Sequence, residues 1–324
     1  MLSLRDVEAA RVIVDRYLPR APIERSPYLS QLLGADILLK IETFKPTRTF
    51  KVRGALNKIA SLDDDHRLRG VVAASAGSHA QGVSYAAYRL GAPATVVMPL
   101  GVSDTIVGVC RAYGAEVLLE GEMYDDTLAL AHRIERDQGK TFVHPYADPL
   151  IVAGQGTMGL EIFDDVPDVD TVIVPVGGGG LIAGTALALK ERRPVVRVIG
   201  VEPEGADAVR RSREAGHPVV VEHPHSVADK LVAKGTEQLN VDLVRTYVDD
   251  IVTVTDEALE SATFDYLERL SLLVEPSGAA TLAAVRSGAV QPRGRTVLVV
   301  SGGNAAVPVL ARILAEQGAK AALA

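Results

Sequence analysis

The feature that most limits what this chain can fold into is an alternation running almost from end to end. Short continuous runs of β-branched and other apolar residues are each followed by a segment with helical spacing. GVVAAS precedes SHAQGVSYAAYRLGA, ATVVM precedes SDTIVGVCRAYGA, TVIVPV precedes LIAGTALALKERR, and RTVLVVS precedes AAVPVLARILAEQ. A strand that is apolar on both faces has to be covered on both faces, and a helix after each strand supplies the cover. The expected fold class is therefore α/β with open parallel sheets. At 324 residues the chain is long enough for two domains with a core in each.

Several function classes are excluded early. The formal net charge of -7, spread without a block of like charges, gives no electrostatic footprint for a nucleic acid. Tryptophan is absent, so a stacking surface for single strands is not expected either. Cys110 is the only cysteine, which rules out an intrachain disulfide and a CxxC metal site. The N-terminal segment MLSLRDVEAARVIVDRYLPR is charged, and no run of about 18 apolar residues follows it. No membrane partner and a cytoplasmic location are the expectation. His223 and His225 flank a proline in a glycine- and proline-interrupted stretch with no third ligand nearby, so they are assigned no metal.

Three of the apolar runs end in small-residue clusters: SAGS near residue 74, GGGG after Val176 and SGGN after Val300. Ligands of open parallel sheets bind at the carboxyl ends of strands, so the three clusters are expected to face one crevice. Any one alone would read as a tight strand-to-helix turn. In PVGGGGLIAG the backbone N–H groups of Gly177, Gly178, Gly179 and Gly180 can converge on an anion at a helix start. No GK[ST] follows, and the GxGxxG spacing of a dinucleotide site is missing. Lys51 stands where the strand-like DILLKIE gives way to the helix-like KVRGALNKIASL, either as a solvated side chain or as a reactive amine. A phosphate cradle without a nucleotide fingerprint, together with a lysine at a helix start, suggests pyridoxal 5'-phosphate held through that amine.

The ordered segments FKPTRTFKVRGA, SAGSHAQG, HPYADPLIVAGQGT, PVGGGGLIAG, VEPSGAA and SGGN resemble the threonine/serine dehydratase family of pyridoxal-phosphate enzymes, with the tryptophan-synthase-β type of fold. The resemblance implies a small mobile domain at about residues 49–148. The large cofactor-binding domain would be made of residues 1–48 and 149–324, with the cofactor in the cleft between the two. Lys51 would carry the cofactor, Phe50 would lie against its ring, Gly177 to Gly180 would hold the phosphate and Ser301 would meet the pyridine nitrogen. Ser78 would bond the cofactor's 3′ oxygen. Ser75, Gly77, Ser78 and His79 would receive the carboxylate of an amino-acid substrate, and Glu275 would sit near the cofactor. The implied reaction is an ammonia-lyase reaction on a β-hydroxy amino acid such as threonine or serine, in a protein of homodimeric habit. Arg53 is expected to be a structural ion-pair partner.

The chain departs from the family pattern at Arg48, Thr49, Ser78 and Lys230, where glycine, serine, asparagine and glycine are usual. Thr49 keeps the serine's hydroxyl, and the Ser78 hydroxyl could take over the asparagine's hydrogen bond. Arg48 and Lys230 add two long cations, and the expectation is either that they favour a substrate with an anionic side chain or that both snorkel to solvent. Racemase, β-replacement enzyme and cofactor-binding sensor are the alternatives. Ala76 stands where racemases of the family carry a serine. A divalent cation in VEPEGADA would use Glu202 and the Ala206 carbonyl, but Ala208 takes the place of the second acid, so weak or no binding is expected.

Overall fold

The computed structural model describes residues 2–323, with side chains as far as Lys320. Among the described residues ten strands form two sheets. In chain order they are β1 (Ile23–Arg25), β2 (Asp36–Ile41), β3 (Val71–Ala74), β4 (Ala94–Met98), β5 (Glu116–Leu119), β6 (Thr141–Phe142), β7 (Thr171–Pro175), β8 (Arg197–Pro203), β9 (Asp250–Val254) and β10 (Arg295–Val300). The larger sheet has the order β1-β2-β10-β7-β8-β9, and the smaller one β5-β4-β3-β6. Every pairing is parallel except that of β1 with β2. β3, β4 and β7 are buried along their whole length, as continuous apolar strands covered on both faces should be. The smaller sheet is drawn wholly from the stretch between β2 and β7, so the chain leaves the large sheet, builds the small one and returns.

Three helices join the two halves: Lys51–Ala60, Pro149–Asp165 and Gly180–Arg192. They cross at backbone contact, because glycines line the crossings. A β-carbon on Gly154 would stand 2.6 Å from the Cα of Gly54, and one on Gly159 would stand 2.6 Å from the Thr185 carbonyl oxygen. Gly156 and Gly184 meet in the same way. Every residue from Ile151 to Ile162 is buried, so this helix has no polar face from which an amphipathic period could be read.

A buried cluster of charges ties the same region together. The Arg53 guanidinium, with no exposed surface, bonds Glu42 through Nε and Nη2, each at 2.8 Å. It also bonds Glu161 through Nη1 and Nη2 at 2.8 and 2.7 Å, and the Thr157 hydroxyl at 3.0 Å. Lys40 adds a bond to Glu161 at 2.5 Å, and the Lys45 ammonium reaches the Pro19 carbonyl. Burial alone would raise both carboxyl groups, but the Arg53 charge outweighs it and holds them below the ordinary range. Lys45, with burial and then Arg53 against its charged form, falls to about 8. Arg53 is thus an ion-pair partner at the centre of a five-charge cluster that joins the end of β2, the Lys51 helix and the Pro149 helix.

Candidate active site

β10 lies between β2 and β7, and the carboxyl ends of β7 and β10 open on one pocket together with the segment Thr49–Lys51. The chain bends after β2, Thr49 pairs with Gly302, and the Phe50 N–H donates to the Ser301 carbonyl at 3.2 Å. This seats Lys51 as the first residue of its helix, beside the end of β10. Its Nζ donates to the Pro145 carbonyl at 2.8 Å and lies 5.3 Å from the Phe50 ring centre. Burial lowers the Lys51 amine to about 8, so its neutral, nucleophilic form is within reach near physiological pH.

The four-glycine run crosses the end of β7. Gly179 is left-handed at φ +89 and caps the Gly180 helix. A side chain at Gly178 would run into the Tyr146 ring, and one at Gly180 into the Tyr146 carbonyl. The loop is pinned from outside: Thr236 Oγ1 and Asn240 Nδ2 donate to the Gly178 carbonyl at 2.9 and 2.8 Å. A 13-residue helix starting in a bare backbone loop is a seat for a phosphate.

One pocket brings together Thr49, Phe50, Lys51, Ser78, Gly177 to Gly180, Lys230, Glu275 and Ser301. Of the four residues expected to receive substrate, Ser78 lines it. His79 turns its ring away: Nε2 donates to the Val143 carbonyl at 2.8 Å, and burial with the nearby Lys51 charge keeps the ring neutral, down to about 3. Ser75 accepts the Gly77 N–H at 3.2 Å, shaping the loop from within. Both residues serve the loop's geometry with their side chains.

The two extra cations part company. Arg48 is exposed, and its guanidinium points back to the Thr43 carbonyl at 3.4 Å, so it does not line the pocket. Its φ of +57 is the reason a glycine suits that position. Lys230 does line the pocket. Its Nζ bonds both carboxylate oxygens of Asp229 at 2.8 Å and stands 3.2 Å from Glu275 Oε2. Burial pushes the Glu275 carboxyl up to about 7, with the Lys230 charge pulling the other way. Glu275 Oε2 has this ion pair but no hydrogen bond of good geometry, which leaves it able to meet a ligand.

Four residues of the site escaped the sequence reading as individuals. Tyr146, Gln155 and Ser277 line the pocket. Asn304 donates to the Thr47 carbonyl at 2.9 Å, to Gln81 at 3.0 Å and to the Ser78 hydroxyl at 3.3 Å, holding the two loops together. Gln155 and Asn304 sit inside VAGQGT and SGGN, and a buried polar side chain beside glycine was the available signal. At the candidate cation position, Glu202 accepts the Val209 and Arg210 N–H groups at 2.9 and 2.8 Å, and burial raises it to about 8. Its carboxyl is occupied in capping the helix Ala208–Ala215, and Asp207 is bonded to Arg210 and Arg211.

The residues fit pyridoxal phosphate: a cradle in which a β-carbon at Gly178 or Gly180 would clash, an amine of lowered pKa across from it, and a buried carboxyl whose Oε2 has Lys230 as its one polar partner. Fold and site together define a two-sheet α/β enzyme built around a phosphorylated cofactor. Residues 14–302 match the family described as pyridoxal-phosphate dependent enzyme, and the chain belongs to that family. It is 42% identical over 314 residues to an L-threonine ammonia-lyase of Thermotoga maritima, covering 97% of this chain and 78% of that one. It is 39% identical to a catabolic L-threonine dehydratase of Staphylococcus aureus, covering 94% and 89% of the two chains. Among solved structures, maize serine racemase superposes with a TM-score of 0.92 at 32% identity over 99% of each chain. A threonine deaminase from T.th. superposes at 0.89 and 41% identity, over 94% of this chain and 99% of that one.

Proposed function

We propose that the chain is an ammonia-lyase that converts a β-hydroxy amino acid, threonine or serine, to the 2-oxo acid and ammonia. The observation that carries the reading is the single pocket in which Lys51, the glycine run Gly177–Gly180 and Ser301 meet. Lys51 would hold the cofactor, Phe50 would lie against its ring, Gly177 to Gly180 would take its phosphate, and Ser301 would meet its ring nitrogen. Ser78 would bond its 3′ oxygen, with Glu275 beside it. When bound, pyridoxal phosphate draws electrons from the substrate Cα, so that its proton becomes acidic and the β-hydroxyl can leave.

Within that frame the chain's own groups have separate tasks. The Lys51 amine, lowered to about 8 by burial, takes the proton from Cα. The backbone of the loop from Ser75 to His79, with the Ser78 hydroxyl, holds the substrate carboxylate and so sets which Cα bond faces Lys51. A hydroxyl at the ring nitrogen does not force a positive charge there as a carboxylate would, which suits elimination over transamination. Across the whole reaction, water leaves, the enamine product tautomerises, and one water hydrolyses it to the 2-oxo acid with release of ammonia. The exposed methyl of Ala76 cannot return a proton from the opposite face, which speaks against racemisation.

Residues 49–148 would act as a small domain closing the cleft, in a homodimer acting in the cytoplasm. Among the described residues no helix is long and apolar enough to cross a membrane. The test is purification with pyridoxal phosphate, a visible spectrum, and assay of 2-oxo acid and ammonia from L-threonine and L-serine. A visible band and product that both disappear in Lys51→Ala support the proposal. A band without 2-oxo acid from either substrate refutes it.

A further inference from the structure

We propose that Lys230 determines specificity: it walls the side-chain end of the substrate site and restricts it to small, uncharged β-substituents. The inference rests on the dehydratase reading and narrows its substrate class.

Lys230 stands between the two glycine-bearing loops of the cleft. On one side its carbonyl oxygen lies 3.2 Å from where a Gly177 β-carbon would be. On the other its Cε lies 3.8 Å from where a Gly77 β-carbon would be. Its backbone N–H donates to the Ser277 hydroxyl at 3.1 Å, which fixes the base of the side chain. The methylene stem therefore crosses from the loop after β7 to the loop after β3, filling space that a smaller residue would leave open.

The ammonium at the end of this stem is committed before any substrate arrives. Asp229 holds it with both oxygens at 2.8 Å and Glu275 stands 3.2 Å away, so two carboxyl groups face one cation. A substrate carrying a second carboxylate would therefore find the ammonium already taken by Asp229 and Glu275, with no free cation to pair with. A hydrogen or methyl group would meet methylenes. The expectation that Lys230 attracts an acidic side chain thus gives way to the opposite preference.

The experiment compares the holoenzyme with Lys230→Gly, Lys230→Ala and Lys230→Met on L-threonine, L-serine, L-threo-3-phenylserine and L-threo-3-hydroxyaspartate. In parallel, binding of the unreactive L-alanine, L-phenylalanine and L-aspartate is read from the cofactor's visible absorption. Lys230→Gly and Lys230→Ala are expected to raise the phenylserine-to-threonine ratio of kcat/KM at least ~10-fold, the scale on which a few methylenes discriminate. They should tighten L-phenylalanine relative to L-alanine by a similar factor. Lys230→Met should keep the size limit and bind L-aspartate no better than the parent does. Unchanged ratios in both small variants overturn the proposal, as does a parent enzyme that prefers hydroxyaspartate to threonine. A shift in binding with no oxo acid from any substrate would keep the wall and sink the dehydratase reading instead.

Discussion

Replacing Arg53 by methionine tests the reading of the buried charge cluster. The guanidinium makes five hydrogen bonds, to Glu42, Glu161 and Thr157, with none of its surface exposed. Methionine keeps much of the volume but leaves Glu42 buried without its bidentate partner. Breaking one side of a buried ion pair costs about 3–5 kcal/mol. At about 2.1 cal/mol/K of unfolding entropy per residue, a chain of this length loses about 1.5 °C of Tm per kcal/mol, so the expected drop is about 4–7 °C by calorimetry. The sign of the pH effect follows. Glu42 is held below its ordinary value in the parent, so its contribution is present at neutral pH and lost as pH falls below the carboxylate range. In Arg53→Met the buried Glu42 rises instead, and protonation relieves it, so the difference in Tm should narrow from pH 7 to pH 5. The double variant Glu42→Gln/Arg53→Met should recover at least half of the loss. A drop below about 2 °C, or strict additivity in the cycle, would refute the argument.

Three further expectations come from the site. Gly178→Ala pushes a methyl group into the Tyr146 ring, at a cost of about 1–3 kcal/mol for overpacking, so if the cradle bears that cost, cofactor affinity in an absorption titration should fall about 5- to 150-fold. Arg48→Gly relieves a left-handed backbone worth about 1–2 kcal/mol, offset in part by the freedom glycine has in the unfolded chain; a Tm slightly above the parent's is expected, and a lower one would count against the strain. Because Lys51 must be neutral to react and is lowered to about 8, pyridoxal phosphate uptake by the apoprotein should rise ~10-fold per pH unit below that value and level off above it. A flat profile between pH 6 and 8 would contradict the lowered amine.

Most strands legible in the chain were those that needed cover on both faces: β3, β4, β7 and β10 all fall within quoted apolar runs, and the strand-like DILLKIE is β2. The Pro149 helix was not legible as a helix, because burial on every side removes the period that marks one. Glycine clusters pointed to the crevice, since a bare backbone at a strand end has few other uses. Side-chain direction was beyond the sequence. His79 bonds the Val143 carbonyl, 64 residues away, and Lys230 faces Glu275 across 45 positions; nothing local in either segment encodes those partners. The same holds for Lys40 and Lys45, which look like surface residues in a charged stretch and are buried around Arg53 and Glu161. For Arg48 the clue was the family's glycine, whose reason became visible only as a positive φ.

The glycine-lined crossings of the Lys51, Pro149 and Gly180 helices carry a consequence for how this protein can vary. None of Gly54, Gly154, Gly156, Gly159 and Gly184 lines the Lys51 pocket, yet one added methyl group at any of them must separate two backbones. Lys51 opens one of those helices and Gly177–Gly180 leads into another, so a spreading of the seam changes the distance between amine and cradle. In a saturation library scored for growth, these positions should appear as a stripe of intolerance deep in the protein. Substitution there would fail by geometry while every reactive group stayed in place.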